Sequence, residues 1–501
     1  MKSFTMKENV PEKKKKHPYC DLSMLLIVFS VIFFCALSVL LWCTNFYNTQ
    51  LFKFLIIKND SYLFDSWIKP PVSPLVCIYA FNYTNTDHVL KGYTDKLIVN
   101  EVGPYCYRES TQKMQVQFYP NGTVSYRDNR THQFVPELSK GKRDDKLVIP
   151  NVPFFVALAM VRNLGYISQI GIMSVLGGQQ PFPKVKAHDS FFGYDNAIVT
   201  LASTISKLMN KPLPYDKCGL LLSRSGLSKD RIMVWTGETN PESAGQVVNV
   251  NGVDTMTAWT AGECNMVHGS DGSRFPPTKV GKKEPVSIFS RDSCRRLPLI
   301  FHTEGKFQKE IPSYKYTIDP DYFKSRTFNN SCYCTTTSEC SYDGVFDISA
   351  CADGAPILIS QPHFLNGDKT LMESLEGLHP DKDKHDFFMD IHPRYGLTMG
   401  MVSRIQLNVE VKKPDSSRSL DSLPDGLILP LIWMEISSET MPDHMFSLIQ
   451  HATFTVRYLE LFLQWQSLIL FIIASTYMFY TTNNSVHHAI GELFLQWQRK
   501  F

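Results

Sequence analysis

The run Glu263-Cys264-Asn265-Met266-Val267-His268-Gly269-Ser270-Asp271-Gly272, followed by Phe275-Pro276-Pro277, opens the most informative stretch of the chain. Cys264, Cys294, Cys332, Cys334, Cys340 and Cys351 crowd into it, whereas Tyr107 to Lys217 holds no cysteine at all. Such clustering needs a chemical reason, and two compete: disulfides, or a thiolate metal site using Cys332-Tyr333-Cys334 and Cys340. The flanks decide. Asn329-Asn330-Ser331 is an N-glycosylation triplet beside Cys332, and Asn59, Asn82, Asn121 and Asn129 open further triplets upstream. Glycan acceptors belong to a lumenal or extracellular chain, where thiols oxidise rather than hold zinc. Disulfides are expected, with no metal and no cofactor, and the spacing alone leaves the pairing open.

Working outward, both ends of the chain are apolar. Ser23 to Cys43 carries no charge and follows Lys13-Lys14-Lys15-Lys16. At about 1.5 Å per residue it covers about 30 Å, the thickness of a hydrocarbon core. A cleaved signal peptide has a shorter apolar region and small residues at the cut, whereas this one ends Leu40-Leu41-Trp42-Cys43, so a retained anchor with cytosolic lysines is expected. Leu461 to Tyr480 is the second span, with Gln464 and Gln466 better tolerated against the first helix or near the outer boundary. The expected organisation is a cytosolic tail at 1–22, a transmembrane helix at 23–43, an ectodomain at 44–460, a second transmembrane helix at 461–480 and a cytosolic tail at 481–501. All five acceptors then lie outside, and the triplet at Asn483 lies in the tail and stays bare. Glu460 to Gln466 recurs identically as Glu492 to Gln498. Duplicated coding sequence or a gene-model error explains this more simply than function; the functional alternative is a tail lying on the inner leaflet with Phe494 and Trp497 inserted.

Composition narrows the class. A chain of 501 residues, 44% hydrophobic and 20% charged, builds one large or two medium cores, and its net charge of +3 favours no polyanion. No concentrated basic face or known module points to nucleic acid. Cys77 and Cys106 either pair or stay free with Cys218, and Cys20 is either acylated or inert.

Within the ectodomain, residues 97–126 read as strand, a turn at Gly103-Pro104, an alternating strand, a hairpin turn at Asn121-Gly122 and a strand. From Val152 to Leu176 the apolar period becomes helical, and Ser190 to Met209 adds more helix. Strand alternation returns at Arg231 to Trp235 and Met399 to Val411, and Leu427 to Trp433 is a buried run.

The opening run, together with Cys332-Tyr333-Cys334, Asp347-Ile348-Ser349, Cys351 and Pro362-His363-Phe364, resembles the class B scavenger receptors in order and spacing. That is the family of the platelet fatty-acid translocase, the high-density-lipoprotein receptor and the lysosomal integral membrane protein. The resemblance implies an α+β fold: an irregular antiparallel β-barrel with a membrane-distal helical bundle and a lipid-sized tunnel, anchored by two terminal transmembrane helices. It implies the pairs Cys264 with Cys332, Cys294 with Cys351 and Cys334 with Cys340. It also implies that the distal helices gather cargo, with Phe154, Phe155, Met160, Ile167 and Met173 as ligand candidates against a role in core packing, and Lys184 and Lys186 near where lipid-binding relatives place lysines.

Catalytic patterns are absent: no Gly-x-Ser-x-Gly, no His-Glu-x-x-His and no phosphate loop. The expected function is a scavenger receptor at the plasma membrane that binds lipid, fatty acid or lipoprotein and passes hydrophobic cargo inward without converting it. The alternatives are a lysosomal membrane receptor escorting a hydrolase and a phagocytic pattern-recognition receptor. The sequence is compatible with a homo-oligomer.

Overall fold

Strand-forming sequence dominates the computed structural model, which describes residues 19–499 except 60, 62–63, 209, 211–214, 325–329, 335–341, 415–419 and 439. Its strands are β1 (Leu75–Tyr83), β2 (Val99–Tyr119), β3 (Thr123–Phe134), β4 (Lys146–Val148), β5 (Lys184–Lys186), β6 (Gly226–Leu227), β7 (Ile232–Trp235) and β8 (Val247–Val250). They continue as β9 (Val286–Ser290), β10 (Arg295–Phe307), β11 (Ile311–Ile318), β12 (Val345–Asp347), β13 (Ile357–Ser360), β14 (Phe388–Ile391), β15 (Thr398–Glu410) and β16 (Ile428–Ser437). One antiparallel path runs β8-β7-β3-β2-β1-β16-β15-β14-β11-β10-β9, while β4 and β5 pair separately.

The two ends of that path are stitched together by the run that opened the sequence analysis. Val247 N donates to Gly269 O at 2.8 Å, Ser270 N to Ser287 O at 2.8 Å, and Phe289 N to Ser270 O at 2.9 Å. Ser270 thus bridges Gln246 on one side and Ile288 on the other, and the sheet is a nearly closed barrel. The residue types follow from this seam. Gly269 sits at φ +124°, and a Cβ there would crowd Phe289 N at 3.0 Å, so a side chain would be strained on both counts. Ser270 is fully buried, and its Oγ donates to Arg274 O at 2.5 Å and accepts from Gly272 N at 2.9 Å.

Central strands are apolar on both faces, as burial on both sides requires. Ile428 to Met434 is buried without interruption, and Tyr79 of β1 stacks on its register partner Trp433 with ring centroids 3.9 Å apart. The expected break at Gly103-Pro104 is corrected: β2 runs continuously from Val99 to Tyr119, and the disruption is absorbed as a register shift against β1 between Ile78 and Ala80. The Asn121-Gly122 hairpin is present, with Gly122 at φ +81°.

Disulfides join Cys264 to Cys332, Cys294 to Cys351 and Cys77 to Cys106. The first two close loops of 68 and 57 residues, each worth roughly 4 kcal/mol by restriction of the unfolded chain. Between them Arg295 is buried against Trp259, Tyr333 and Phe346, its guanidinium carbon 4.6, 4.4 and 5.0 Å from the ring centroids. The third bridge links residues directly opposed on β1 and β2, and Cys218 is a free, half-buried thiol. Cys340, the expected partner of Cys334, lies outside the described residues, as does Asn329.

The chain divides into two units, one from Phe52 to Phe446 and one formed by the two ends. The ends contribute two helices long and apolar enough to cross a membrane, Leu22–Cys43 and Asp443–Gln498. They pair through polar contacts: Trp42 Nε1 donates to Gln464 O at 3.0 Å, Gln464 Nε2 to Leu41 O at 2.8 Å, and Ser38 Oγ to Ser467 Oγ at 3.2 Å. Gln464 therefore faces the first helix. The second helix does not end at Tyr480 but continues to Gln498 and carries the duplicated segment within it.

Candidate functional site

Helices Val152–Arg162, Tyr166–Leu176 and Ala197–Leu208 are built with apolar residues on more than one face. Buried amides pin their ends. Gln169 Nε2 donates to Arg162 O at 3.2 Å and Leu164 O at 3.0 Å, filling carbonyls that the end of the first helix leaves open. Asn196 Oδ1 caps the third by accepting from Ile198 N at 3.0 Å, and Asn196 Nδ2 donates to Asn151 Oδ1 at 3.2 Å. Asn151 in turn precedes the first helix. With the ends fixed this way, Phe154, Phe155, Leu158 and Leu176 turn into the core, Val161 is buried as well, and a second set of apolar residues stays outside.

That outer face is the candidate site. Ile167 is 87% exposed, Leu208 81% and Tyr166 65%, and Met160, Ile170 and Ile205 are about half exposed. Isolated exposed apolar residues are ordinary, but six on three helices, the first of which packs against each of the other two, make an apolar surface suited to docking. Burying these six side chains is worth on the order of 10 kcal/mol before the costs of docking. Lys207 stands exposed beside Leu208, and two nearby cations on other elements are paired. Arg162 is paired with Asp425 at 3.1 Å, and Lys186 with Asp144 at 3.1 Å.

Of the residues proposed from sequence, Met160 and Ile167 lie on this face. Met173 is half-buried against the core, and Phe154 and Phe155 are inside it. Lys184 and Lys186 stand exposed on β5, with Lys186 paired to Asp144. Leu201, Ile205 and Leu208 were missed, although their helical spacing in Ala197–Leu208 is visible in the sequence. Asn59 and Asn121 are exposed, while Asn82 and Asn129 are half-buried on β1 and β3. Asn82 Oδ1 accepts from Val148 N at 2.8 Å, leaving Nδ2, the atom that takes a glycan, outside that bond.

A second cluster joins Glu101, His363 and His385, whose ligand atoms lie within 4.8 Å of one another. Its hydrogen bonds argue against a cation. His379 N donates to His363 Nδ1 at 3.1 Å and Asp381 N to His385 Nδ1 at 3.0 Å, so each neutral ring carries its proton on Nε2 and has no lone pair there for a metal. His363 Nε2 instead donates to Glu101 Oε2 at 2.6 Å, and Trp433 Nε1 donates to the same oxygen at 2.7 Å. Burial pushes Glu101 up, but these two donors outweigh it and hold the carboxyl below its ordinary range. Burial pushes His385 down to about 4. The cluster is a carboxylate clamp tying β2 to β16 and to the Pro362-His363-Phe364 turn.

A nearly closed, disulfide-bonded barrel with an exposed apolar helix face, on a chain with two membrane-length helices, defines a class of membrane-anchored binding protein. The CD36 family model matches residues 26–482, and the chain belongs to the CD36 family. It is 31% identical over 365 residues to lysosome membrane protein 2 of Mus musculus, covering 72% of this chain and 74% of that protein. It is also 31% identical over 395 residues to scavenger receptor class B member 1 of Rattus norvegicus, covering 77% and 75%. The same lysosomal relative in Homo sapiens is 31% identical over 365 residues, covering 72% of this chain and 74% of that protein.

Proposed function

We propose that this chain is a scavenger receptor at the cell surface that takes up lipid, fatty acid or lipoprotein-borne lipid and passes it through the barrel interior without chemical change. The observation that carries this reading is the apolar face around Ile167 and Leu208, which offers a lipid surface a place to lose its contact with water. Two of the cations near it, Arg162 and Lys186, are paired with carboxylates, which favours weakly charged lipid over anionic particles. In this topology residues 23–43 and 461–480 cross the bilayer, both tails are cytosolic, and Asn59, Asn82, Asn121, Asn129 and Asn329 carry glycans on the outer side.

A lysosomal residence is the second reading, suggested by the name of one relative. Two buried histidines weigh against it. Burial pushes His385 and His392 each down to about 4, so both are held neutral and the fold loses stability as the medium acidifies. Uptake of a fluorescent neutral lipid by cells expressing the chain tests the proposal. Uptake above that of untransfected cells supports it, and equal uptake contradicts it.

A further inference from the structure

Arg274, five residues after the glycine of the barrel seam, is only 5% exposed. Its Nη1 donates to Leu55 O at 3.2 Å, and the ring of Phe52 lies 5.5 Å from the guanidinium carbon. Its Nε and Nη2 are buried and meet no acceptor among the described residues. Buried polar groups are normally filled, so a vacancy of this kind needs a reason. These two nitrogens form one edge of the guanidinium, and their parallel N–H bonds match the two oxygens of a carboxylate or phosphate.

Arg130 and Arg295 differ in degree: each has one buried nitrogen, Nε, without a partner, while Arg130 Nη2 pairs with Asp128 at 3.3 Å and Arg295, enclosed by three aromatic rings, donates from Nη2 to Asp347 O at 2.8 Å, so only Arg274 has the Nε and Nη2 edge unfilled. Glu242, the carboxylate whose charge acts on Arg274, is committed elsewhere: its oxygens accept from Thr278 N at 3.1 and 3.3 Å and from Thr278 Oγ1. Burial without a bonded counter-ion pulls Arg274 down to about 10, against a smaller upward pull from Glu242.

We propose that the Nε and Nη2 edge of Arg274 is an anion-binding site for a carboxylate or phosphate group, either the head of an amphiphile whose chain lies along Phe52 or a free anion. This site does not depend on the uptake reading, because lipid can be taken up at the exposed helices with Arg274 unoccupied.

The test is calorimetric titration of the full-length chain in non-ionic detergent with sodium oleate and, separately, inorganic phosphate, using wild type, Arg274→Gln and Arg274→Lys. Wild type is expected to bind at least one of the two. Binding of oleate alone assigns an amphiphile, and binding of phosphate as well assigns the free anion. Arg274→Gln is expected to lose about tenfold or more in affinity, and Arg274→Lys, which keeps the charge but not the fork, to recover only part. Equal affinity in wild type and Arg274→Gln, or no binding of either anion to wild type, overturns the proposal.

Discussion

Replacing Ile167 and Leu208 together by glutamine removes the two most exposed apolar side chains of the helix face, which are 87% and 81% exposed. A fully buried Ile or Leu side chain contributes about 1.5–3 kcal/mol, so a lipid surface covering both gains roughly 3–5 kcal/mol from them. Side-chain ordering and desolvation reduce that figure, and a loss of at least about tenfold in lipid affinity remains. The folded chain loses almost nothing, because exposed substitutions away from caps and cores shift stability by only about 0.5 kcal/mol. The assay is binding of a fluorescent neutral lipid to the purified chain held in detergent micelles, alongside a melting curve for each variant. An unchanged melting temperature with binding at least tenfold weaker is the expected result. Binding that stays at the wild-type level refutes the reasoning, since no other residues on that face are as exposed.

Ser270→Ala leaves Gly272 N without its buried acceptor and Arg274 O without its donor, and is expected to cost about 2–4 kcal/mol, read from denaturant unfolding of the chain. Cys264→Ser releases a loop closed over 68 residues, and is expected to cost roughly 4 kcal/mol and to lower the melting temperature of the unreduced protein. Burial raises Glu109, but the His132 hydrogen bond and the charges of Arg130 and Arg224 outweigh it and hold the carboxyl at about 2. Its folded value lies below the ordinary 4.5, so its contribution of roughly 3 kcal/mol is complete above pH 4.5 and is lost as pH falls toward 2; Glu109→Gln should flatten that part of the acid profile. His385 is held at about 4 against an ordinary 6.5, so the unfolded chain binds its proton first and stability falls between pH 6.5 and 4, again by roughly 3 kcal/mol. His385→Asn, whose Oδ1 can replace Nδ1 as acceptor for Asp381 N, should remove that slope while leaving stability at neutral pH nearly intact.

The cysteine cluster and the apolar ends are local in sequence, so their chemistry was readable there. The role of Gly269 and Ser270 was not, because the seam depends on two strand ends, at Gln246 and Ile288, whose meeting is a property of the whole sheet. Periodicity found the helices at 152–176 but did not separate Phe155, fully buried, from Ile167, because helices that are apolar all round carry little directional signal. The continuous β2 was read as two strands since Gly-Pro ordinarily marks a turn, and here long-range pairing with β1 overrode that preference. Arg274 escaped notice because an arginine is expected at the surface, and only its packing against Phe52 and Leu55 makes its unfilled edge visible.

Photo-crosslinking the full-length chain with a diazirine-bearing neutral lipid, followed by peptide mapping, tests the central claim most directly. The expected label falls on peptides covering 160–172 and 201–208, and competes away with unlabelled lipid. Label confined to the two terminal helices, with none on those peptides, contradicts the assignment of that face as the place where lipid is received.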